Sequence, residues 1–94
     1  MNVIQTLNTI NPNITHIEDN SDAFMRRARI HFTNGYTLSV IYGMGSYGSR
    51  QGTFEIAIFD PKDNWVPFEE SDDNVLGYQS MEDVIVWTNK VAAM

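Results

Sequence analysis

Three basic side chains alternate with apolar ones in the segment that follows residue 24. Arg27, Arg29 and His31 fall at every second position. Alternate side chains of a β-strand project from the same face of the sheet, so the three would share the face away from the core. Arginines on such a face could contact phosphates or the carboxylates of an acidic partner. They could equally pair with the chain's own Asp and Glu, or protect a strand edge by their charge.

A second group of candidate residues lies in a glycine-rich segment. Residues 43–48 read Gly-Met-Gly-Ser-Tyr-Gly, which has the letters of the dinucleotide-binding fingerprint. In that motif a helix N-terminus must follow to receive the pyrophosphate, whereas here the next predicted element is a strand. The segment from Gly43 to Gly52 therefore indicates a flexible connection without a nucleotide site. Within it, Tyr47 and Arg50 are of the residue types that anchor protein interfaces, and we interpret them as partner-binding candidates.

The acidic residues are concentrated in the second half of the chain. The net charge is −6, with +1 on residues 1–50 and −7 on residues 51–94. Four acids of a predicted loop are candidates for binding a basic partner, such as a protein that normally holds nucleic acid: Glu69, Glu70, Asp72 and Asp73. The same acids could serve solubility alone, or imitate DNA phosphates, although a loop does not hold a fixed spacing. The negative field disfavours direct binding to nucleic acid or an anionic membrane.

The remaining reactive side chains form no recognisable catalytic pattern. The chain has two histidines, His16 and His31, which lack metal-ligand spacing, and no cysteine to join them. No serine lies in the sequence context of a nucleophile elbow. We therefore predict no metal, no cofactor and no enzymatic activity.

The first part of the chain predicts a helix and a short strand. Apolar residues fall on one helical face at Val3, Ile4, Leu7 and Ile10, and the helix ends at the Asn11-Pro12-Asn13 run. Residues 14–18 then predict a strand with Ile14 and His16 on one face. From residue 24 the apolar positions have a period of two, which predicts a second strand with these residues facing the core: Phe24, Ala28, Ile30 and Phe32.

A hairpin follows, and burial selects its register. Asn34-Gly35 is typical of a two-residue turn, but that turn would place Ser39 opposite Ile30. A loop of three residues instead pairs Ile30 with Leu38, apolar with apolar. Because a slip of one residue inverts the facing of a whole strand, we predict the three-residue loop. Gly35 then takes the left-handed position of a bulge.

The second half predicts strands and then a helix. Residues 53–59 form a strand with Phe54, Ile56 and Ile58 inward, residues 60–64 a turn, and residues 65–68 an edge strand that contains Pro67. After the acidic loop at 69–74, residues 75–79 pair briefly. Ser80 caps a C-terminal helix whose buried stripe is Met81, Val84, Ile85, Thr88, Val91 and Ala92. The sequence thus predicts one α+β domain over residues 1–94, with a mostly antiparallel sheet of four to five strands and a helix at each end.

The order of these segments resembles a group of small phage and prophage proteins. The resemblance rests on the runs at 32–40 (Phe-Thr-Asn-Gly-Tyr-Thr-Leu-Ser-Val), 45–50 (Gly-Ser-Tyr-Gly-Ser-Arg), 54–58 (Phe-Glu-Ile-Ala-Ile), 75–80 (Val-Leu-Gly-Tyr-Gln-Ser) and 81–84 (Met-Glu-Asp-Val). It spans about residues 30 to 88 and leaves the N-terminal helix outside. It implies an origin on a phage or mobile element, where small acidic proteins often block host defence, and it assigns no functional residue.

Two functional hypotheses follow. The preferred one is a cytoplasmic, non-catalytic binder of a host or phage protein, for example an inhibitor of a nuclease defence system of the anti-CRISPR or anti-restriction type. The alternative is a small nucleic-acid-associated regulatory module that contacts phosphates through Arg27, Arg29 and Arg50. No apolar run is long enough to span a membrane, and we expect no signal peptide, because the first residues lack a basic region followed by an apolar core. The oligomeric state, including a dimer through the edge strand, stays open.

Overall fold

A computed structural model describes residues 11–21, 25–43, 54–68 and 73–94. They form an α+β fold with six strands and one helix, in chain order β1 (Ile14–Asp19), β2 (Met25–Phe32), β3 (Thr37–Gly43), β4 (Phe54–Phe59), β5 (Trp65–Val66), β6 (Leu76–Gln79) and α1 (Met81–Ala92). Every strand pair is antiparallel. The predicted N-terminal helix, Phe24 and the connection between Gly43 and residue 53 lie outside the described residues.

The sheet has the order β1-β2-β3-β4-β5, and β6 also pairs with β4. Since β3 occupies one edge of β4, strands β5 and β6 share the other. There β5 pairs with the end of β4 at Ile58 and Phe59, while β6 pairs with its beginning at Phe54 and Ile56. The sheet therefore has six strands, one more than the predicted maximum of five. The additional strand arises because two short strands, β5 and β6, pair with the same edge of β4.

The β2–β3 hairpin has the predicted register. Ile30 pairs with Leu38 and Ala28 with Val40, and the Phe32 amide donates to the Tyr36 carbonyl at 3.0 Å. Gly35 has a φ of +89°, in the left-handed region that L side chains rarely adopt. The three-residue loop and the position of its glycine are both confirmed.

Strand β1 contains a bulge that the alternation of its residues does not reveal. Ile14 pairs with Phe32, but His16 pairs with His31, so Thr15 is an extra residue opposite His31. Ile14 and Ile17 pack against the core, whereas His16 is exposed. The prediction that Ile14 and His16 share a face is therefore wrong, since the extra residue inverts the facing between them.

The β4–β5 turn forms as its sequence predicts. Asp60 accepts hydrogen bonds at 2.9 Å from the backbone amides of Lys62 and Asn64 through one carboxylate oxygen. The backbone closes through the Asp60 amide and the Asn64 carbonyl at 2.9 Å, and Asp63 takes a φ of +67°. The tip of the hairpin lies against this turn, because a Cβ built on Gly35 would lie 3.0 Å from Pro61 Cβ.

Helix α1 begins with a capping box. The Asp83 amide donates to the Ser80 hydroxyl at 3.1 Å, and the Ser80 amide donates to the Asp83 carboxylate at 2.9 Å. The helix places Val84, Thr88 and Val91 in the core, and its contacts with the sheet lie on β3, β4 and β6. The buried apolar residues between helix and sheet are Ala28, Ile30, Phe32, Leu38, Val40, Phe54, Ile56, Ile58, Phe68, Val84 and Val91.

Within the part of the chain that the structure describes, α1 is too short and too polar to cross a membrane, and no other helix is present.

Candidate functional site

The face of the sheet that points away from α1 carries most of the described polar side chains of the central strands. We call it the polar face. The strand register aligns its side chains in three rows, the first being His16, His31, Thr37, Phe59 and Trp65. The second row is Glu18, Arg29, Ser39 and Ala57, and the third is Arg27, Ile41 and Glu55. Basic, acidic, imidazole and aromatic groups thus lie within a few strand spacings of one another.

The prediction that Arg27, Arg29 and His31 share one face is confirmed. Arg27 is exposed, while Arg29 is about two-thirds covered by its neighbours. The guanidinium of Arg29 lies 4.9 Å from the centre of the Phe59 ring and 3.5 Å from a carboxylate oxygen of Asp63. Pairing with the chain's own acids, one of the alternatives for these arginines, therefore occurs for Arg29.

Arg29 nevertheless retains unused hydrogen-bonding capacity. Its Nε is buried and has no hydrogen-bond partner among the described residues. Its contact with Asp63 is long for a hydrogen bond, and Asp63 itself is mostly exposed. A guanidinium in this state can donate hydrogen bonds to a better-placed carboxylate or phosphate.

Arg27 and Arg29 border a shallow depression of about 380 Å³ that is open to solvent. Ser39 and Ile41 contribute to its lining, and Phe59 closes one side. The depression therefore combines two cations with a hydroxyl and two apolar side chains. Such a lining suits a ligand that places an acidic group beside an apolar one.

An aromatic pair continues the polar face toward its edge. The rings of Phe59 and Trp65 lie 4.6 Å apart at a tilt of 49°, and half of the Trp65 surface is exposed. An exposed tryptophan is a typical anchor of a binding surface, and its neighbour Phe59 contacts Arg29. Trp65 lies on the predicted edge strand, where no sequence pattern marks it as a functional residue.

On the opposite side of the same face, His16, Glu18 and His31 form a cluster. The imidazole rings stack with centroids 4.2 Å apart and planes 11° from parallel. His31 Nε2 forms a hydrogen bond with the Glu18 carboxylate. One ligand atom from each of the three residues lies within 4.8 Å of the other two. Sequence spacing did not reveal this cluster, because β-sheet pairing, shifted by the Thr15 bulge, brings the two strands into register.

Two threonine hydroxyls contact the imidazoles. Thr15 Oγ1 lies 3.2 Å from His16 Nδ1 and donates to the His31 carbonyl at 3.0 Å. Thr37 Oγ1 lies 3.3 Å from His31 Nδ1, and Thr37 is buried. Both rings therefore contact a hydroxyl through Nδ1, while Nε2 of His31 is hydrogen-bonded to Glu18.

The hydrogen bond with His31 is the main reason that the pKa of Glu18 lies below its ordinary value of 4.5. Burial, the next largest effect, raises the pKa in opposition, and smaller electrostatic effects of His31, Arg29 and His16 lower it. Glu18 is therefore ionised at neutral pH and acts only as a hydrogen-bond acceptor.

Most of the predicted partner-binding residues lie outside the described residues, namely Tyr47, Arg50, Glu69, Glu70 and Asp72. Asp73 is described and exposed. Its backbone bridges to Phe68, and its carboxylate accepts a hydrogen bond from the Asn74 amide at 2.7 Å. These contacts place Asp73 beside the core residue Phe68.

Comparisons with protein-family models, with curated proteins and with solved structures each return no match to this chain.

Proposed function

We propose that this chain is a non-catalytic binding protein that holds an acidic segment of a partner protein on the polar face of its sheet. The observation that carries the proposal is the depression bordered by Arg27 and Arg29. A partner carboxylate would enter beside the two guanidinium groups, and an apolar side chain next to it would pack on Ile41 and Phe59.

The state of Arg29 supports an acidic ligand. Its buried Nε lacks an acceptor, and a buried donor without an acceptor costs about 1–3 kcal/mol. A carboxylate in the depression would bind the exposed part of the guanidinium and would replace the long contact with Asp63. The interaction would also be directional, because the arginine fork matches a carboxylate in geometry.

The aromatic pair supports a protein surface as the partner. Phe59 and Trp65 lie in the row next to Arg29, and Trp65 offers a large exposed apolar area at its rim. Tryptophan and arginine are enriched among the residues that contribute most to protein interfaces. A protein of a nuclease defence system, the class implied by the resemblance to phage proteins, is one partner of this kind.

The same pair of aromatic rings favours the alternative, a nucleic-acid-associated module. Bases stack on aromatic side chains of open sheets while arginines contact the phosphates. The net charge of −6 opposes this function, since the field around the chain repels a polyanion. The two functions differ in salt dependence: binding to phosphates weakens steeply as salt rises, and a packed protein interface changes less.

The test is a capture experiment with a matched set of variants. The tagged chain is incubated with bacterial lysate, with and without nuclease, and bound proteins are quantified by mass spectrometry. Arg27→Glu and Trp65→Ala alter the polar face, and Lys90→Glu makes the same charge change on the helix as Arg27→Glu makes on the sheet.

A partner captured by the unmodified chain and by Lys90→Glu, but reduced at least about 10-fold by Arg27→Glu and by Trp65→Ala, supports the proposal. Capture that disappears on nuclease treatment supports the nucleic-acid alternative instead. Equal capture by all four proteins would show that the polar face is not the binding surface.

A further inference from the structure

We infer that His16, Glu18 and His31 form a binding site for one divalent first-row transition metal ion, of which Zn²⁺ is the representative. The inference goes beyond the proposed function and depends on none of the contacts around Arg27, Phe59 or Trp65. It rests on three donors of suitable type, on their convergence and on the hydroxyl groups that orient them.

The sheet register brings the donors together. His16 and Glu18 are separated by one residue on β1, so their side chains project from the same face. His31 lies directly opposite His16 on β2. Two positions of one strand and the facing position of the next form a triangle, and a small ion can lie above it. Two imidazoles and one carboxylate are a ligand set that Zn²⁺ and Fe²⁺ commonly take.

An ion can bind once the two imidazoles rotate out of their stack, because the lone pairs of nearly parallel rings do not converge on one point. The three donor atoms all lie within 4.8 Å of one another. Donors of a tetrahedral zinc ion, each about 2.0–2.1 Å from the metal, are about 3.3 Å apart. The widest separation must therefore shorten by no more than about 1.5 Å. All three side chains keep contact with solvent, so an ion can reach them.

The hydrogen bonds of Thr15 place the free electron pair of His16 on Nε2. Thr15 Oγ1 has one proton, which it donates to the His31 carbonyl at 3.0 Å. Its contact with His16 Nδ1 at 3.2 Å must then use a proton on that nitrogen. In the neutral ring, Nε2 is left unprotonated and can bind a metal. Ligand histidines in metalloproteins are held in this way through their other nitrogen.

His31 reaches the same arrangement when the ion binds. Its Nε2 carries the proton that it shares with Glu18, because the ionised carboxylate can only accept. In the neutral ring the metal takes the place of this one proton on Nε2 and binds both Nε2 and the carboxylate. The same proton passes by way of solvent to Nδ1, which then donates a hydrogen bond to Thr37 Oγ1 at 3.3 Å.

The charges around the cluster permit a cation. Glu18 supplies one negative charge, and the neighbouring Arg29 opposes the cation. The guanidinium of Arg29, however, lies beside Asp63 and Phe59, on the side away from β1. Three protein ligands also leave at least one coordination position of the ion open to water or to an added ligand.

The direct test uses the unmodified chain labelled with ¹⁵N and Zn²⁺ as the probe. Nitrogen chemical shifts of the imidazole rings at pH 7.5 distinguish the tautomers and detect metal at Nε2. Before zinc is added we expect His16 as the Nδ1-protonated tautomer. At one equivalent of Zn²⁺ we expect Nε2 of both rings to shift together, with saturation at one ion per chain. Zinc that shifts neither ring, or only one, would overturn the inference.

Variants then test two of the donors and one positioning residue by isothermal titration with Zn²⁺. His31→Ala and Glu18→Gln should weaken the affinity at least about 10-fold, and Thr37→Val by about 10-fold as a positioning residue. Glu82→Gln makes the same change as Glu18→Gln on the helix and should leave the affinity unchanged. Amide spectra confirm that each variant is folded. If the folded Glu18→Gln and Glu82→Gln variants bind zinc equally, or if His31→Ala binds it like the unmodified chain, no such site exists.

Discussion

Thr15 and His16 together face the single residue His31 on the neighbouring strand. The extra residue turns His16 onto the polar face, where its ring stacks on that of His31, and keeps Ile14 and Ile17 against the core. The bulge thus allows Ile14 and Ile17 to pack in the core while His16 and Glu18 lie on the polar face with His31.

Deleting Thr15 should leave the fold intact. Without it, Ile14, His16, Ile17 and Glu18 alternate regularly and keep their present faces. We expect a change in the free energy of unfolding of no more than about 1 kcal/mol, measured by urea denaturation. Deleting Ser39 from the central strand β3, as a comparison, should prevent folding because it inverts the facing of part of that strand. An unfolded Thr15 deletion would mean that the bulge itself stabilises the sheet.

Replacing Gly35 with alanine should destabilise the protein by about 1–3 kcal/mol. The added Cβ is strained at a φ of +89° and lies 3.0 Å from Pro61 Cβ and 3.1 Å from Pro61 Cγ. Thermal and urea unfolding would measure the loss. In a Pro61→Gly background the steric part disappears, so the cost of Gly35→Ala should be smaller there. An equal cost in both backgrounds would assign the whole effect to backbone strain.

Asn34 links the hairpin to the end of the helix. Its Nδ2 donates to the Val91 carbonyl at 2.8 Å, and its Oδ1 accepts from the Tyr36 amide at 3.0 Å. Asn34→Ala should cost about 1 kcal/mol. Asn34→Asp should cost more, since it removes the donor and adds a negative charge at the negative end of the helix dipole.

The control for Asn34→Asp is the same substitution at Asn89 of the helix. The Asn89 side chain accepts a hydrogen bond from Asn11 Nδ2 at 2.9 Å, and an aspartate can still accept it. Thermal unfolding should therefore show a smaller loss for Asn89→Asp. A larger loss at Asn89 would show that the link between Asn34 and the helix end contributes little.

Acid should remove the stabilisation that Asp60 provides. Hydrogen bonds from the Asn64 and Lys62 amides lower the pKa of Asp60 below its ordinary value of 3.8. The folded state therefore binds the proton less readily than the unfolded state, and Asp60 stabilises the fold above pH 3.8. This contribution is lost as the pH falls below 3.8 and through the lowered pKa.

The comparison with Asp60→Asn tests this pH dependence. The variant should be less stable than the unmodified chain at pH 7, and the difference in the free energy of unfolding should shrink below pH 3.8. Urea denaturation at a series of pH values measures it, and an NMR titration of the Asp60 carboxyl gives the midpoint directly. A difference that stays constant down to pH 2.5 would contradict the assignment.

Local patterns were sufficient to predict several elements of the fold. The β2–β3 register follows from a glycine after Asn34 and from apolar residues that must face one another. The start of α1 follows from Ser80 and from the acidic first turn, and its buried stripe from helical spacing. These features depend on residues close together in the chain or directly paired across a hairpin, so short-range geometry and burial determine them.

The polar face and its sites depend on pairings between distant segments. Three features require the register of elements that are far apart in sequence. They are the sharing of one edge of β4 by two strands, the contact of Gly35 with Pro61, and the approach of His16 and Glu18 to His31. A bulge shifts such a register by one residue without leaving a signal in the alternation of side chains. Residue types therefore determined the strands, the hairpin and the helix of this chain. Long-range strand pairing decided which side chains meet, because a side chain's neighbours across a sheet depend on every residue that separates it from the turn.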